Sequence, residues 1–287
     1  MSERVVYLNG QYVPESEARI SVLDRGFLFA DGVYEVIPVY GGCLLQEDEH
    51  LQRLVRSLEQ VRLPNPLSLP QWKSVFAELL RRNPGPERGI YLQVTRGAAR
   101  RDHAFPKAAE PTVLVMVNPI SLPDAELLKT GVAAVTLSDD RWSRCDIKSI
   151  SLLPNVLARQ QAVEQGAAEA ILIRQGLAVE GAASNLFVVA DGVIVTPPKD
   201  RHLLPGITRD LVIELAQQQG YPVMESVIPE DQLSVAQEIW LTSSTREILP
   251  VTRLNETPVG DGKPGPAWQQ MHAHYQRFKK ERQALES

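Results

Sequence analysis

No aliphatic run in this chain outlasts a single strand. The longest, such as residues 113–117, match one buried β-strand and fall far short of the roughly 20 residues that cross a bilayer. These short apolar bursts alternate with segments of helical period, which calls for a layered α/β architecture in which each strand finds neighbours and each helix finds a sheet to cover. The first 45 residues read as strands joined by tight turns: 5–8, then Asn9-Gly10, then Tyr12-Val13, and later 33–40 before Gly41-Gly42. Asn-Gly and Gly-Gly mark hairpins because both central positions accept positive φ. After Glu47-Asp48-Glu49, Leu51, Leu54, Val55, Leu58 and Val61 recur at helical spacing, with the acids in the first turn where they offset the macrodipole. Residues 71–82 predict a second helix, 89–95 a strand, and 111–117 a strand buried on both faces.

A proline-interrupted stretch follows, from Asn118-Pro119 through Leu122-Pro123-Asp124, and reads as an interdomain linker. Beyond it the pattern predicts strands at 131–137, 170–174, 186–190, 193–196 and 239–242. It predicts helices at 155–165, closed by Gly166, at 209–219, ended by Gly220, and at 268–284. The expected fold class is α/β of the α+β type, with mixed sheets in both halves. A smaller N-terminal α/β domain takes 1–118, a linker 119–130, and a larger C-terminal domain 131–287.

Composition narrows the function. The 30 Lys and Arg stand against 35 Asp and Glu, a formal net charge of -5, so no global field attracts a polyanion and nucleic acid is not an expected partner. Cys43 and Cys145 are the two cysteines, too few for a disulfide framework and in no metal-ligand spacing. Residues 1–8 contain no apolar leader core. Together these predict an unexported chain of a reducing cytoplasm, with no metal and no membrane partner.

Four segments carry candidate chemistry. Leu204-Pro205-Gly206-Ile207-Thr208 runs straight into a helix, so unpaired N–H groups, a small Gly and a hydroxyl meet at a positive dipole end. That is a phosphate cradle or simply a Thr cap after a turn. Thr242-Ser243-Ser244-Thr245 follows the apolar strand Ile239-Trp240-Leu241, at a strand end where open sheets bind ligands, or forms a solvated turn. Lys148 lies in Cys145-Asp146-Ile147-Lys148-Ser149-Ile150; between isoleucines, loss of water favours the nucleophilic neutral amine, and the alternative is a paired lysine at a strand end. Glu180, before Gly181-Ala182-Ala183-Ser184, is a functional carboxylate or a turn residue.

Taken in order and spacing, these segments resemble the class IV aminotransferases, pyridoxal phosphate enzymes of fold-type IV, and among them the bacterial D-amino acid aminotransferases. The resemblance rests on Asp24-Arg25-Gly26, Asp31-Gly32-Val33-Tyr34-Glu35-Val36, Arg141-Trp142 through Ser149, Glu180-Gly181 with Ser184-Asn185, Gly206-Ile207-Thr208-Arg209-Asp210, and Thr242-Ser243-Ser244-Thr245-Arg246-Glu247. It implies a two-domain fold with the cofactor, pyridoxal 5′-phosphate, between the domains. Lys148 would form the Schiff base and shuttle the proton between Cα and C4′. Glu180 would keep the pyridine nitrogen protonated. Arg53, Ile207, Thr208 and the Ser243-Ser244 pair would hold the phosphate, the guanidinium matching it bidentately.

The resemblance also implies a homodimer in which Arg101 and His103 reach the partner's site and, with Tyr34, bind the substrate α-carboxylate. The alternative for Arg100-Arg101-Asp102-His103 is a solvated charged loop, and the adjacent Arg100 competes for the clamp assignment. Two further departures matter. Ala182 and Ala183 stand where the family usually offers hydroxyls, and Pro38 stands at a position often basic. The implied activity is reversible transfer of an amino group from D-alanine or a related D-amino acid to 2-oxoglutarate or another 2-oxo acid, by a ping-pong cycle. The same fold hosts branched-chain L-aminotransferases, R-selective amine transaminases and aminodeoxychorismate lyase. A non-catalytic phosphate-ligand-binding protein would need the cradle but neither Lys148 nor Glu180.

Overall fold

The computed structural model describes residues 3–286. The chain forms two compact units, one gathering the residues up to Ser121 together with Ile147–Ser151, the other gathering Leu122–Asp146 and Leu152–Ala284.

In the N-terminal unit the order is β1 (Val5–Leu8), β2 (Gln11–Pro14), α1 (Arg25–Phe29), β3 (Gly32–Tyr40), β4 (Cys43–Leu44), α2 (Glu47–Gln60), α3 (Leu69–Arg82), β5 (Glu87–Thr95) and β6 (Thr112–Pro119). Among the described residues these strands make one six-stranded sheet, ordered β2-β1-β6-β5-β3-β4. It is antiparallel at every pairing. One face is apolar by alternation: Val33, Ile37 and Val39 of β3, Ile90, Leu92 and Val94 of β5, and Val113, Val115 and Val117 of β6. Leu51, Leu54 and Leu58 of α2 and Trp72, Phe76 and Leu79 of α3 complete that core. β6 departs from the expectation of burial on both faces, because Leu114 and Met116 on its other face are only half-buried. α3 begins two residues before the predicted 71 because Ser68 and Gln71 cap one another, with the Ser68 N–H donating to Gln71 Oε1 at 2.8 Å.

The C-terminal unit runs α4 (Ala125–Thr130), β7 (Val132–Ser138), α5 (Leu153–Glu164), β8 (Glu169–Arg174), β9 (Leu177–Gly181), β10 (Asn185–Ala190), β11 (Val193–Thr196), α6 (Ile207–Gln218), β12 (Val223–Glu225), β13 (Ile228–Pro229), α7 (Glu230–Val235), β14 (Glu238–Ser243), β15 (Glu247–Leu254), β16 (Thr257–Pro258) and α8 (Pro266–Glu286). Its sheet is mixed: β7 is parallel to both β8 and β15, and β11 to β12, while the remaining pairs are antiparallel. Val132, Ile171, Leu186, Val188, Ile239, Leu241 and Val251 fill its core. α8 starts where Glu238 accepts the N–H groups of Ala267 and Trp268 at 2.9 and 2.8 Å. Those two bonds satisfy donors that every helix N-terminus leaves unpaired. Among the described residues no helix is long and apolar enough to cross a membrane.

Two features bear on the division expected from sequence. The proline-rich stretch assigned to a linker over 119–130 folds from Ala125 to Thr130 into α4, capped by Asp124, whose Oδ1 accepts the Leu127 N–H at 2.7 Å. Ile147–Ser151, expected inside the C-terminal domain, packs with the N-terminal unit. The reason is a bare strand edge. β4 covers β3 only at Val39 and Tyr40, so the other end of β3 is free to take a partner on that side. Ser149 pairs with Val33, the Tyr34 N–H donates to the Lys148 carbonyl at 3.0 Å, and the Ile150 N–H donates to the Gly32 carbonyl at 3.1 Å.

Pro38 fits the same geometry. Its carbonyl accepts the Leu45 N–H at 3.0 Å, so its missing N–H lies on the scantily paired β4 side and the ladder to β5 is unbroken. A different residue sets the path out of β5: Gly97 has φ +85, and a Cβ there would lie 1.8 Å from the Glu110 carbonyl oxygen. Gly97→Ala should therefore lose about 2 to 4 kcal/mol of unfolding free energy, from left-handed strain plus a backbone clash. Chemical denaturation measures it, and an unchanged midpoint would contradict the packing described.

Candidate active site

The pairing of Ile147–Ser151 with β3 fixes the backbone on either side of Lys148, whose own N–H donates to Ser57 Oγ at 3.4 Å. The side chain projects over Tyr34, with Nζ 4.3 Å from the ring centroid. Among the described residues that amine has neither a hydrogen-bond nor an ion-pair partner, which disposes of the paired-lysine alternative. A cation-π contact holds an amine by its face and leaves its lone pair available on deprotonation. Tyr34 in turn stacks on Tyr91 at 5.8 Å, the tyrosine paired with Val36 on the same face of the sheet. The Tyr91 hydroxyl donates to Gln93 Oε1 at 2.6 Å, and burial pushes it up to about 12.

On the opposite face of β3 the alternation Val33, Glu35, Ile37 sets a carboxylate among core residues. Glu35 is fully buried, and α2 answers it with two side chains three residues apart. Arg53 donates Nε to Oε1 at 2.7 Å and Nη2 to Oε2 at 2.8 Å, and His50 Nδ1 lies 2.8 Å from Oε2. Burial pushes Glu35 up, but Arg53 and then His50 outweigh it and hold the carboxyl far below the usual range. Burial, with help from Arg53 and Lys148, lowers His50 against the pull of Glu35, so the ring is neutral at neutral pH. A carboxylate only accepts, so the proton of the neutral ring sits on Nδ1.

The C-terminal unit holds a second buried cluster. Asp139 at the end of β7 accepts Arg141 Nε and Nη2 at 2.8 and 3.0 Å and Arg174 Nε at 3.0 Å. Arg141, so oriented, extends Nη1 to Glu180 Oε1. Glu180 Oε2 accepts Asn185 Nδ2 at 3.1 Å and the Leu204 N–H at 3.0 Å. Burial pushes the carboxyl up from 4.5 to about 6, against Arg141 and the Leu204 N–H, which leaves it anionic at neutral pH.

Asn185 links this carboxylate to the start of α6. Its Nδ2 also donates to the Leu204 carbonyl at 2.9 Å, and its Oδ1 lies where a Cβ on Gly206 would fall, 1.9 Å away, so only glycine fits there. Gly206 caps α6 without a side-chain hydrogen bond, which leaves the first N–H groups of the helix, at Ile207 and Thr208, directed outward without a cap. Thr242 pairs with Asn185 across β14 and β10, and its buried Oγ1 has no partner. Ser243 and Ser244 follow in the turn closed by Glu247, half-buried. Within this unit, then, an anion, an uncapped helix start and hydroxyls lie on connected elements.

The Arg101–His103 loop is exposed. Arg101 Cζ and the His103 ring both stand against Phe29, at 5.2 and 5.4 Å from its centroid. Arg100 makes no such contact among the described residues, so the two members of the Arg-x-His pattern share one platform and Arg100 does not.

Sequence reasoning passed over Glu35, His50, Arg141 and Asn185 as working parts. Glu35 was detectable as an acid in register with core residues of an alternating strand, and His50 as a polar residue beside the apolar stripe of α2. Nothing local marked the Arg141–Glu180 pair, whose members lie 39 residues apart in the chain. The alanines behave as departures: Ala182 is buried with both backbone groups bonded, its N–H to the Ala170 carbonyl and its carbonyl to Asn155, and Ser184 is the one hydroxyl left in that turn.

Residues 32–254 match the family described as Amino-transferase class IV. The chain is 42% identical over 261 residues to a D-alanine aminotransferase of Bacillus licheniformis, covering 91% of this chain and 92% of that one. It is 38% identical over 274 residues to a D-alanine aminotransferase of Staphylococcus epidermidis, covering 95% and 97%. Among solved structures it resembles the Escherichia coli branched-chain amino acid aminotransferase, with a TM-score of 0.88 and 28% identity over 94% of this chain and 93% of that one. It also resembles a T.th. branched-chain amino acid aminotransferase solved with pyridoxamine 5′-phosphate, with a TM-score of 0.89 and 28% identity over 96% and 93%.

The environment of Glu180 has a measurable consequence in the cofactor-free protein. Its folded value, about 6, lies above the ordinary 4.5, so its contribution to stability is full below pH 4.5 and is lost as pH rises through 6. The loss amounts to about 2 kcal/mol, and Glu180→Gln should remove that dependence. Urea unfolding at both ends of the window measures it, and an identical pH slope in the two proteins would show that the carboxyl titrates as an ordinary one.

Proposed function

The chain belongs to the class IV aminotransferase family, and from that premise we infer that it is a pyridoxal 5′-phosphate-dependent D-amino acid transaminase. It moves an amino group reversibly from D-alanine or a related D-amino acid to 2-oxoglutarate or another 2-oxo acid, in a ping-pong cycle. The observation that carries the reading is Lys148, pinned by its backbone to β3 while its amine meets only the face of Tyr34. A lysine serving stability would have an anion; this one is kept ready for a carbonyl.

The residues present fit the cofactor. The Gly206 position excludes any side chain, the N–H groups of Ile207 and Thr208 are uncapped, and the buried Thr242 hydroxyl lacks a partner, as a phosphate site requires. Bound pyridoxal phosphate supplies a carbonyl for the amine and a protonated ring that takes up the electrons released at the substrate Cα. Ile207, Thr208, Ser243 and Ser244 would hold its phosphate, and so would Arg53, whose guanidinium Glu35 orients. Glu180 holds the proton on the ring nitrogen, and Arg141, Asn185 and Leu204 aim its carboxylate. Lys148 Nζ would be the amine that condenses with that carbonyl, with loss of water, and, once the substrate amine displaces it, the base that would carry the substrate's Cα proton.

Tyr34, with Arg101 and His103 from the partner subunit of a homodimer, binds the α-carboxylate. Exposed apolar side chains support the dimer: Val22, Phe27 and Phe105 around this loop, and Leu153, Val156 and Leu157 on α5. Because the clamp sets which face of Cα meets Lys148, its position selects the D enantiomer. Cys43 and Cys145 are buried and not joined in a disulfide, with burial pushing Cys145 up to about 11, in keeping with a reducing cytoplasm.

Incubation with D- or L-alanine and 2-oxoglutarate, followed by measurement of pyruvate and glutamate, tests the reading. D-alanine should give equal amounts of both products. L-alanine turnover in its place would indicate a branched-chain-type enzyme, and pyruvate from aminodeoxychorismate the lyase.

The dimer gives a second prediction. Arg101→Ala should cost about 2 to 5 kcal/mol in kcat/KM, as for one partner of a desolvated charge pair, and Arg100→Ala much less. Mixing Lys148→Ala with Arg101→Ala chains, once exchange is demonstrated with a tag, should restore about a quarter of the sites to full activity in a two-fold dimer. No recovery after exchange would place the clamp within one chain.

A further inference from the structure

The loop carrying Arg101 and His103 has exposed side chains and little regular structure of its own, yet one buried side chain holds its backbone. Arg25, the first residue of α1 and 3% exposed, donates Nη1 to the carbonyls of Asp102 at 2.5 Å and Ala104 at 3.3 Å, and Nη2 to that of His103 at 3.3 Å. In an extended strand successive carbonyls point to opposite sides. Three consecutive carbonyls converging on one guanidinium therefore require a curled backbone, and curling turns the side chains outward.

Phe29, one helical turn after Arg25, receives them. Its ring stands 4.9 Å from Arg25 Cζ, and it is the same ring that Arg101 and His103 pack against. Arg25 is itself held in place, its Nε donating to Asp31 Oδ2 at 2.7 Å. Asp31 also takes Arg96, whose Nε and Nη2 reach it at 2.8 and 3.0 Å, and Arg96 Cζ lies 3.7 Å from the Phe105 ring at the far end of the loop. Burial raises the Asp31 carboxyl, but bonds from Arg96 and Arg25 prevail and keep it ionised. The helix start is fixed separately: Asp24 accepts the Gly26 N–H at 2.7 Å and the Thr95 and Thr112 hydroxyls at 2.8 and 2.6 Å.

We propose that Arg25 is a positioning residue for the substrate carboxylate, fixing the spacing and direction of Arg101 and His103 through the carbonyls between and beside them. The proposal rests on the transaminase reading above. Arg25 touches neither substrate nor cofactor in this role; it acts through the loop, by setting in advance a geometry that the bound carboxylate would otherwise have to impose.

The test compares wild type with Arg25→Met, which keeps the stem over Phe29 and loses every donor, and with Arg25→Lys, which keeps the charge on Asp31 and reaches one carbonyl at most. Holoenzyme is used throughout. For Arg25→Met, KM for D-alanine and for 2-oxoglutarate should both rise about tenfold or more, with a smaller change in kcat, and Arg25→Lys should fall between. Hydrogen exchange at residues 101–105 should quicken while the amides of β3 and β5 keep their protection and the cofactor's absorbance is unaltered. Adding Arg25→Met to Arg101→Ala should cost less in kcat/KM than Arg25→Met costs in wild type, the remainder acting through His103.

Unchanged exchange at 101–105 in Arg25→Met would overturn the anchor itself. Exchange quickened across the whole sheet together with loss of cofactor would also overturn it, by making Arg25 a general stabiliser. Additive losses in the double variant would show that Arg25 acts elsewhere than through Arg101. An Arg101→Ala enzyme with wild-type KM, alongside a loosened loop in Arg25→Met, would place the failure in the carboxylate reading and leave the anchor standing as a structural feature only.

Discussion

Along the edge away from β5, half of β3 has no strand beside it. β4 ends after two residues, and the N–H and C=O groups of the bare half must find partners or water. The segment Ile147–Ser151 supplies them, and the placing of the Lys148 amine follows from that pairing. Because side chains alternate along a strand, the bonds at Tyr34 N and Ile150 N set the register of Lys148 and, with it, the face its side chain occupies. A slip of one residue would turn Lys148 away from Tyr34 and toward the core face, where Glu35 would meet it as a countercharge. The register thus keeps the amine on the face of β3 opposite Glu35.

The buried ion clusters of the two units share one construction. In each buried cluster a guanidinium fork meets a carboxylate, and a further group fills what the fork leaves: His50 at Glu35, Asn185 and a backbone N–H at Glu180, loop carbonyls at Arg25. Such clusters are weak arguments for stability, since desolvation cancels most of the attraction, while removal of one member strands the other. What they do supply is direction. Arg141 is aligned by Asp139 before it reaches Glu180, and Arg53 by Glu35, so each of these side chains is oriented from behind.

Much of this was legible in the sequence where the signal was local. The acids of the first turn and the apolar stripe set α2, isoleucines around Lys148 singled it out among the lysines, and Gly206 followed by Ile207 and Thr208 marked a helix start. The links between distant residues were not legible. Periodicity says which face a residue occupies and nothing of what comes to meet it, so Glu35 was seen only as part of a strand and Arg25 only as part of a motif. The prolines near 119–123 read as a break, and Asp124 caps a new helix directly after them. The return of Ile147–Ser151 to the first unit depended on an unpaired edge more than a hundred residues upstream, which no window of sequence contains.

Ala182 and Ala183 alter how a cofactor would be retained. Where the related enzymes usually offer hydroxyls, this chain has a buried methyl group at 182 and an exposed one at 183, and Ser184, the remaining hydroxyl, donates to Glu169 at 3.3 Å. Glu169 is buried, and burial raises its carboxyl against the Ala170 N–H, nearby arginines and that same serine. Ser184 is therefore committed to a carboxylate that needs it, and losing the bond would leave Glu169 with the Ala170 N–H alone. On the proposed reading, with so few donors in that turn, the hold on the ring would fall to its two ends: the phosphate on α6 and the β14–β15 turn, and the ring nitrogen on Glu180. Both ends rest on Asn185, which donates to Glu180 and sits against Gly206, so one amide between two strands sets the distance between the anion and the cradle.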